Sequence, residues 1–178
     1  VPASVLPAVR AVSGVKNAEG TIFDNGADIL GPDGKPIGFQ GPPHFGGSWI
    51  VDSELSPFHL RSGAGPTQDH DVVVDATTAA TQKLSLGQRI DIAFRGGAKE
   101  TFRITGISGY AQSDNLAGAT FALFTATTAG RVMAMPDSYT TIRVSAQAGV
   151  TDVDLRNRVA AVLPSGVEAT TGAQASQE

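Results

Sequence analysis

The chain is 178 residues long, 41% apolar and 17% charged, with 21 glycines, no cysteine and a formal net charge of −4 at pH 7. Such a length suits one domain or two small subdomains, and the balance is that of a globular chain, not a disordered one. Without cysteine there is no disulfide framework and no thiolate site, which leaves the redox compartment open, and the scattered Lys and Arg form no basic stripe suited to nucleic acid.

No apolar run approaches the roughly 20 residues that cross a bilayer, and the start carries no signal-peptide pattern, so the chain as given is expected to be soluble. Val1 in place of Met is what a processed or excised fragment would show, such as one trimmed at membrane boundaries.

In chain order, Val5, Val9 and Val12 fall at helical spacing, which predicts a helix closed by Gly14 and followed by a strand from Val15. Asp24-Asn25-Gly26 and Asp33-Gly34 read as hairpin turns, since the long pattern of a calcium loop with its terminal Glu is missing. From Gly38 to Gly65 the chain is punctuated by Gly41-Pro42-Pro43, Gly46-Gly47, Pro57 and Gly63, around a lone Trp49. This stretch reads as an inserted, loop- and β-rich lobe over 38–70.

The stretch from Asp71 to Ile107 is the most informative. Val72-Val73-Val74 between Asp71 and Asp75 predicts a strand covered on both faces. Asp75 can cap a helix over Ala76 to Leu84 that lays Ala76, Ala79, Ala80 and Leu84 on a sheet. Ile90, Ile92 and Phe94 alternate with Arg89, Asp91 and Arg95, Gly96-Gly97 turns the chain, and Phe102 and Ile104 lead a returning strand to Ile107.

Farther on, Ala119 to Thr125 reads as a strand, Thr127 to Met135 as a helix ended by Pro136, and Tyr139 to Ser145 as a strand. Thr151 and Asp154 form the capping box of a helix that Pro164 stops. Its Leu155, Val159, Val162, Gly166 and Val167 echo Val5, Val9, Val12, Gly14 and Val15, so a short strand is expected after each helix. The fold class is therefore α+β: two β-α-β units forming one lobe, 1–37 and 71–172, a smaller β-rich inserted lobe, and a fraying tail over 173–178.

For chemistry, His44, His59 and His70 are metal-ligand types in no known ligand spacing. Surface or loop histidines are the favoured reading, and neither a metal nor a cofactor is expected. No Gly-x-Ser-x-Gly elbow occurs, and Gly63-Ala64-Gly65-Pro66 lacks the lysine of a phosphate loop, so no catalytic residue is expected. Phe45, Trp49, Leu55 and Phe58 make a candidate partner-contact patch, with the core of the small lobe as the equal alternative. Gly38, Gly41, Gly63, Gly65 and Pro66 are a candidate hinge between lobes.

Three phrases in order, Asp71-Val72-Val73-Val74-Asp75, Leu84-Ser85-Leu86-Gly87-Gln88-Arg89-Ile90 and Phe102-Arg103-Ile104-Thr105-Gly106-Ile107, resemble the extracytoplasmic domain of the MacB/FtsX superfamily of ABC transporter permeases. Ser13-Gly14-Val15 is similar to the step closing that family's first helix, and Leu60 to Pro66 to its lead into the central strand. Gln88 departs from it, standing where an acidic residue is commoner. The resemblance runs over nearly all of Val1 to Gly172 and rests on turns, not on chemical groups.

It implies a membrane-proximal "porter" lobe made of the two β-α-β halves, a distal inserted lobe, and a place on the extracytoplasmic side of the cell membrane. It further implies no chemistry in this domain, a cytoplasmic ABC ATPase, separate or fused, and a second permease subunit forming a dimer. An extracytoplasmic substrate or partner protein would be acted on as ATP is hydrolysed. A free-standing secreted ligand- or cell-wall-binding module, and an enzyme using the histidines, remain as competing classes.

Overall fold

The computed structural model describes residues 1–38, 41, 43–114 and 117–175. In chain order the elements are α1 (Val5–Arg10), β1 (Val15–Thr21), β2 (Phe23–Asn25), β3 (Ala27–Ile29), β4 (His44–Ser48), β5 (Phe58–Gly63), β6 (Asp71–Asp75) and α2 (Ala76–Gln82). There follow β7 (Arg89–Phe94), β8 (Lys99–Tyr110), β9 (Thr120–Phe124), α3 (Ala126–Val132), β10 (Thr141–Ala146), α4 (Asp152–Ala160) and α5 (Gly172–Ala175). They group into two units, Val1–Gly20 with Asp137–Glu178, and Thr21–Pro136.

The first unit pairs β1 with β10 in a two-stranded sheet. Val5, Leu6 and Val9 of α1 meet Val15, Ala18, Leu155 and Val159 in one apolar cluster, so the echoed positions on the two helices share a core. Thr151 caps α4 by accepting from Asp154 N–H, and its hydroxyl donates to the Asp154 carboxylate, which closes the capping box through the side chain. The strand expected around Val167 is absent among the described residues: after α4 the chain makes turns and no ladder. Of the expected tail over 173–178, 173–175 belong to the single helical turn α5, which Thr171 caps, and 176–178 lie outside the described residues.

The second unit is a curled eight-stranded sheet of order β2-β4-β9-β6-β8-β7-β3, with β5 also paired to β8. Its end strands β2 and β3 are joined by Gly26, whose φ of 120° lets the chain turn sharply. Gly26 donates to the His44 carbonyl and accepts from Arg95 N–H, so the two ends of the strand path are tied at one residue. His44 Nδ1 lies 2.6 Å from Asp28 Oδ1, adding a side-chain link between β4 and β3.

β6 is buried at every position, as its β-branched run requires. It runs parallel to β8 and antiparallel to β9, a mixed centre that no local pattern announces. On one side of the sheet Phe102 and Phe124 pack at 4.8 Å between ring centres, with Phe94 edge-on to both. Val73, Phe121 and Leu123 project to the other side, where Ile50, Leu55 and Phe58 cover them. Asp75 caps α2 as expected; the helix stops at Gln82 because Lys83 turns left-handed, and it buries Thr78 and Ala79 while Ala80 is exposed.

The lobe boundaries differ from the sequence reading. β4 and β5 both lie in the expected insertion over 38–70, yet they pair with β9 and β8 inside the same sheet as β6. That stretch is therefore part of the larger sheet, and the unit boundaries fall at Gly20–Thr21 and Pro136–Asp137. Glycine and proline mark turns, which need not be boundaries, and so this misplacement has a plain cause.

Candidate functional site

The expected contact patch divides by burial. Leu55 and Phe58 are 7% and 5% exposed and belong to the core, which removes them from any surface patch. Ser56 makes this possible: its hydroxyl accepts from Phe58 N–H and donates to the Phe58 carbonyl, turning the chain so that Phe58 points onto β9. Phe45 and Trp49 are half-buried at the edge of the same cluster. Phe45 stacks on Phe23 at 4.7 Å, and Phe23 reaches Phe58 at 5.4 Å. Tyr110 joins edge-on to Phe58 at 5.6 Å. Phe23 and Tyr110 lie outside the expected patch; each is a lone aromatic beside a turn, and only cross-strand register brings them in.

The candidate hinge residues act as close-approach points. Gly63 has a φ of 75°, and a Cβ there would lie 2.2 Å from the Thr105 carbonyl, opposite its ladder partner Gly106. A Cβ on Gly65 would lie 2.6 Å from Trp49 Nε1, so the indole rests on bare backbone. Pro66 is buried. Gly38 and Gly41 are exposed and joined by a Gly41 N–H to Gly38 carbonyl bond; Pro42 beside them lies outside the described residues. All five fall within the unit Thr21–Pro136 and none at its boundaries, which corrects the placing of a hinge there.

The titratable groups are tied to the scaffold. Burial pushes the Asp71 carboxyl upward, but the Arg103 guanidinium at 2.8 Å and the N–H groups of Thr67 and Gln68 outweigh it and leave its pKa lowered. Asp75, 1% exposed with no cation beside it among the described residues, has its pKa raised by burial despite donors from Thr78 and Phe121. Glu100 holds Arg131 of α3 through two N–H···O bonds, which lowers the Glu100 pKa. His59 is exposed on β5, and the His70 ring lies 5.6 Å from Phe102. Among the described residues no three His, Asp or Glu come together as metal ligands.

The fold is similar to that of transporter ectodomains. The crystal structure of the periplasmic region of MacB from Actinobacillus actinomycetemcomitans matches with a TM-score of 0.68 at 14% identity, covering 99% of this chain and 81% of that one. The extracellular domain of the noncanonic ABC-type transporter YknZ from Gram-positive bacteria matches with a TM-score of 0.62 at 10% identity, over 92% of this chain and 82% of that one. No curated protein matches the chain. The MacB-like periplasmic core domain family matches residues 2–162, and the chain belongs to it. It is thus a periplasmic or extracellular domain of a MacB-like ABC transporter permease, as the resemblance in its turns implied. No helix among the described residues is long and apolar enough to cross a membrane.

Proposed function

We propose that this domain is a non-catalytic, cofactor-free relay that couples ATP hydrolysis by a cytoplasmic ABC ATPase to export or mechanical work outside the membrane. The family match over residues 2–162 carries the reading. The cross-tied sheet supports it, because a relay must move as a body: β8 alone pairs with β5, β6 and β7. In the intact transporter the domain works beside that of a second permease subunit and acts on an extracytoplasmic substrate or partner protein, with Phe45 and Trp49 at the contact.

The test uses the intact transporter. This domain lacks cysteine, so in a transporter whose other cysteines are replaced, Lys35→Cys on an exposed loop places one spin label in each copy of the domain. The distance between the two labels is then compared without nucleotide and with a non-hydrolysable ATP analogue. A shifted distribution is expected; labels that keep one distance in both states overturn the coupling role.

A further inference from the structure

The unit Thr21–Pro136 carries a cleft of about 720 Å³ between the loop after β3, the end of α2 and the outward face of β7 and β8. Its size falls within the range of about 300–1,000 Å³ typical of small-molecule sites. The apolar part is aliphatic, with Leu30, Ile37 and Leu84 half-buried. Among the described residues no aromatic ring lines it.

The polar groups of the cleft are mostly engaged. Asp91 accepts from the Thr101 hydroxyl at 2.6 Å and lies 3.4 Å from Lys99 Nζ. Asp33 accepts from Lys35 N–H, and the Gln88 side chain accepts from Ser85 N–H. The Arg89 side chain differs, making no hydrogen bond or ion pair among the described residues.

The register sharpens this. Arg89 stands directly opposite Arg103 across the β7–β8 ladder, and like charges so placed are destabilising. Asp71 compensates Arg103 at 2.8 Å, whereas no carboxylate among the described residues forms an ion pair with Arg89. An unneutralised guanidinium opposite a second one, at the end of an aliphatic cleft, suits an anionic head attached to an apolar chain.

We propose that this cleft binds a single-chain anionic amphiphile, with the head group on the Arg89 guanidinium and the aliphatic chain along Leu30, Ile37 and Leu84. The site is independent of the coupling role, since it asks only for the folded chain.

Sodium decanoate, kept below its micelle concentration, is titrated into the 178-residue protein and followed by calorimetry and by amide shifts in labelled protein. Saturable binding is expected, with shifts at Leu30, Leu84 and Ile90. Acetate, which lacks the chain, and decyltrimethylammonium, which reverses the charge, should not reproduce it. Arg89→Gln should weaken decanoate about tenfold, a loss of about 1.4 kcal/mol, while melting no lower than the native chain because it relieves the Arg89–Arg103 opposition. No saturable binding, shifts confined to other surfaces, equal binding of the cationic amphiphile, or an Arg89→Gln variant with native affinity would each overturn the proposal.

Discussion

The carboxylate of Asp75 holds two backbone N–H groups at once, Thr78 in the first turn of α2 at 2.7 Å and Phe121 on β9 at 3.1 Å. One buried side chain thus caps a helix and clamps a neighbouring strand. Asp75→Ala strands both donors, and should cost about 2–4 kcal/mol as the sum of a lost cap and an unsatisfied buried N–H. Urea unfolding of the variant measures it; a loss under half a kilocalorie would mean that water takes over both bonds.

The acid response has two opposing parts. Asp75 is raised above its ordinary 3.8, so between that value and its folded pKa the native state binds more protons than the unfolded one. Its contribution is complete below 3.8 and declines as pH rises through the folded value. Asp71 is lowered, so its contribution is present above 3.8 and is lost as pH falls through its folded value. In unfolding series from about pH 3 to 7, the gap between native and Asp75→Asn stability should narrow with rising pH, and the gap to Asp71→Asn should widen. Parallel curves would contradict both assignments.

Two glycines separate conformational strain from collision. Gly63 and Gly87 have φ of 75° and 83°, yet a Cβ on Gly87 meets nothing within 4 Å while one on Gly63 meets the Thr105 carbonyl at 2.2 Å. Gly87→Ala should cost about 1–2 kcal/mol for the left-handed backbone. Gly63→Ala should cost about 2–4 kcal/mol once overpacking is added. Equal losses in thermal melts would mean that β5 yields freely, and would restore the idea of a hinge at that point.

The aromatic cluster separates core from rim. Phe121, fully buried, should cost about 3–5 kcal/mol when cut to alanine, whereas half-buried Phe45 should cost about 1–2 kcal/mol. Trp49 is the sole tryptophan of the chain, so its emission reports on the proposed contact surface. Binding of a partner at Phe45 and Trp49 should shift that emission, and Phe45→Ala should weaken the binding more than it lowers stability; an unchanged spectrum at saturation places the contact elsewhere.

Thr151→Ala removes the cap of α4 and should cost about 1 kcal/mol, read as a lower melting temperature. No change would mean that Asp152 and Asp154 hold the first turn unaided.

Most of the stretch from Asp71 to Phe124 was legible because its signals are local. A β-branched run, a capping Asp and a Gly-Gly turn each name their own structure within a few residues. The sheet was not legible, since β4 meets β9 and β6 meets β8 only through partners far along the chain. β2 and β3, three residues each, hid inside what reads as a turn sequence around Gly26. Leu55 and Phe58 failed as surface residues for a related reason: nothing near them foretells that Ser56 folds the chain back onto β9. Arg89 looked like an ordinary outward residue of an alternating strand, and only the register opposite Arg103 sets it apart.

β8 makes one segment answerable to three neighbours. Thr105 already takes up one irregularity against β6, and Arg61 of β5 takes up another against β8. A residue gained or lost between Arg103 and Ser108 would swing Phe102 or Tyr110 to the wrong side and misalign every adjoining ladder together. Change in length is therefore barred from the middle of β8 and tolerated in the loop at Asp33-Gly34, where a Cβ on Gly34 would meet nothing within 4 Å. Among descendants of this gene, the loop after β3 is where novelty can accumulate, and that loop forms one wall of the cleft beside Arg89.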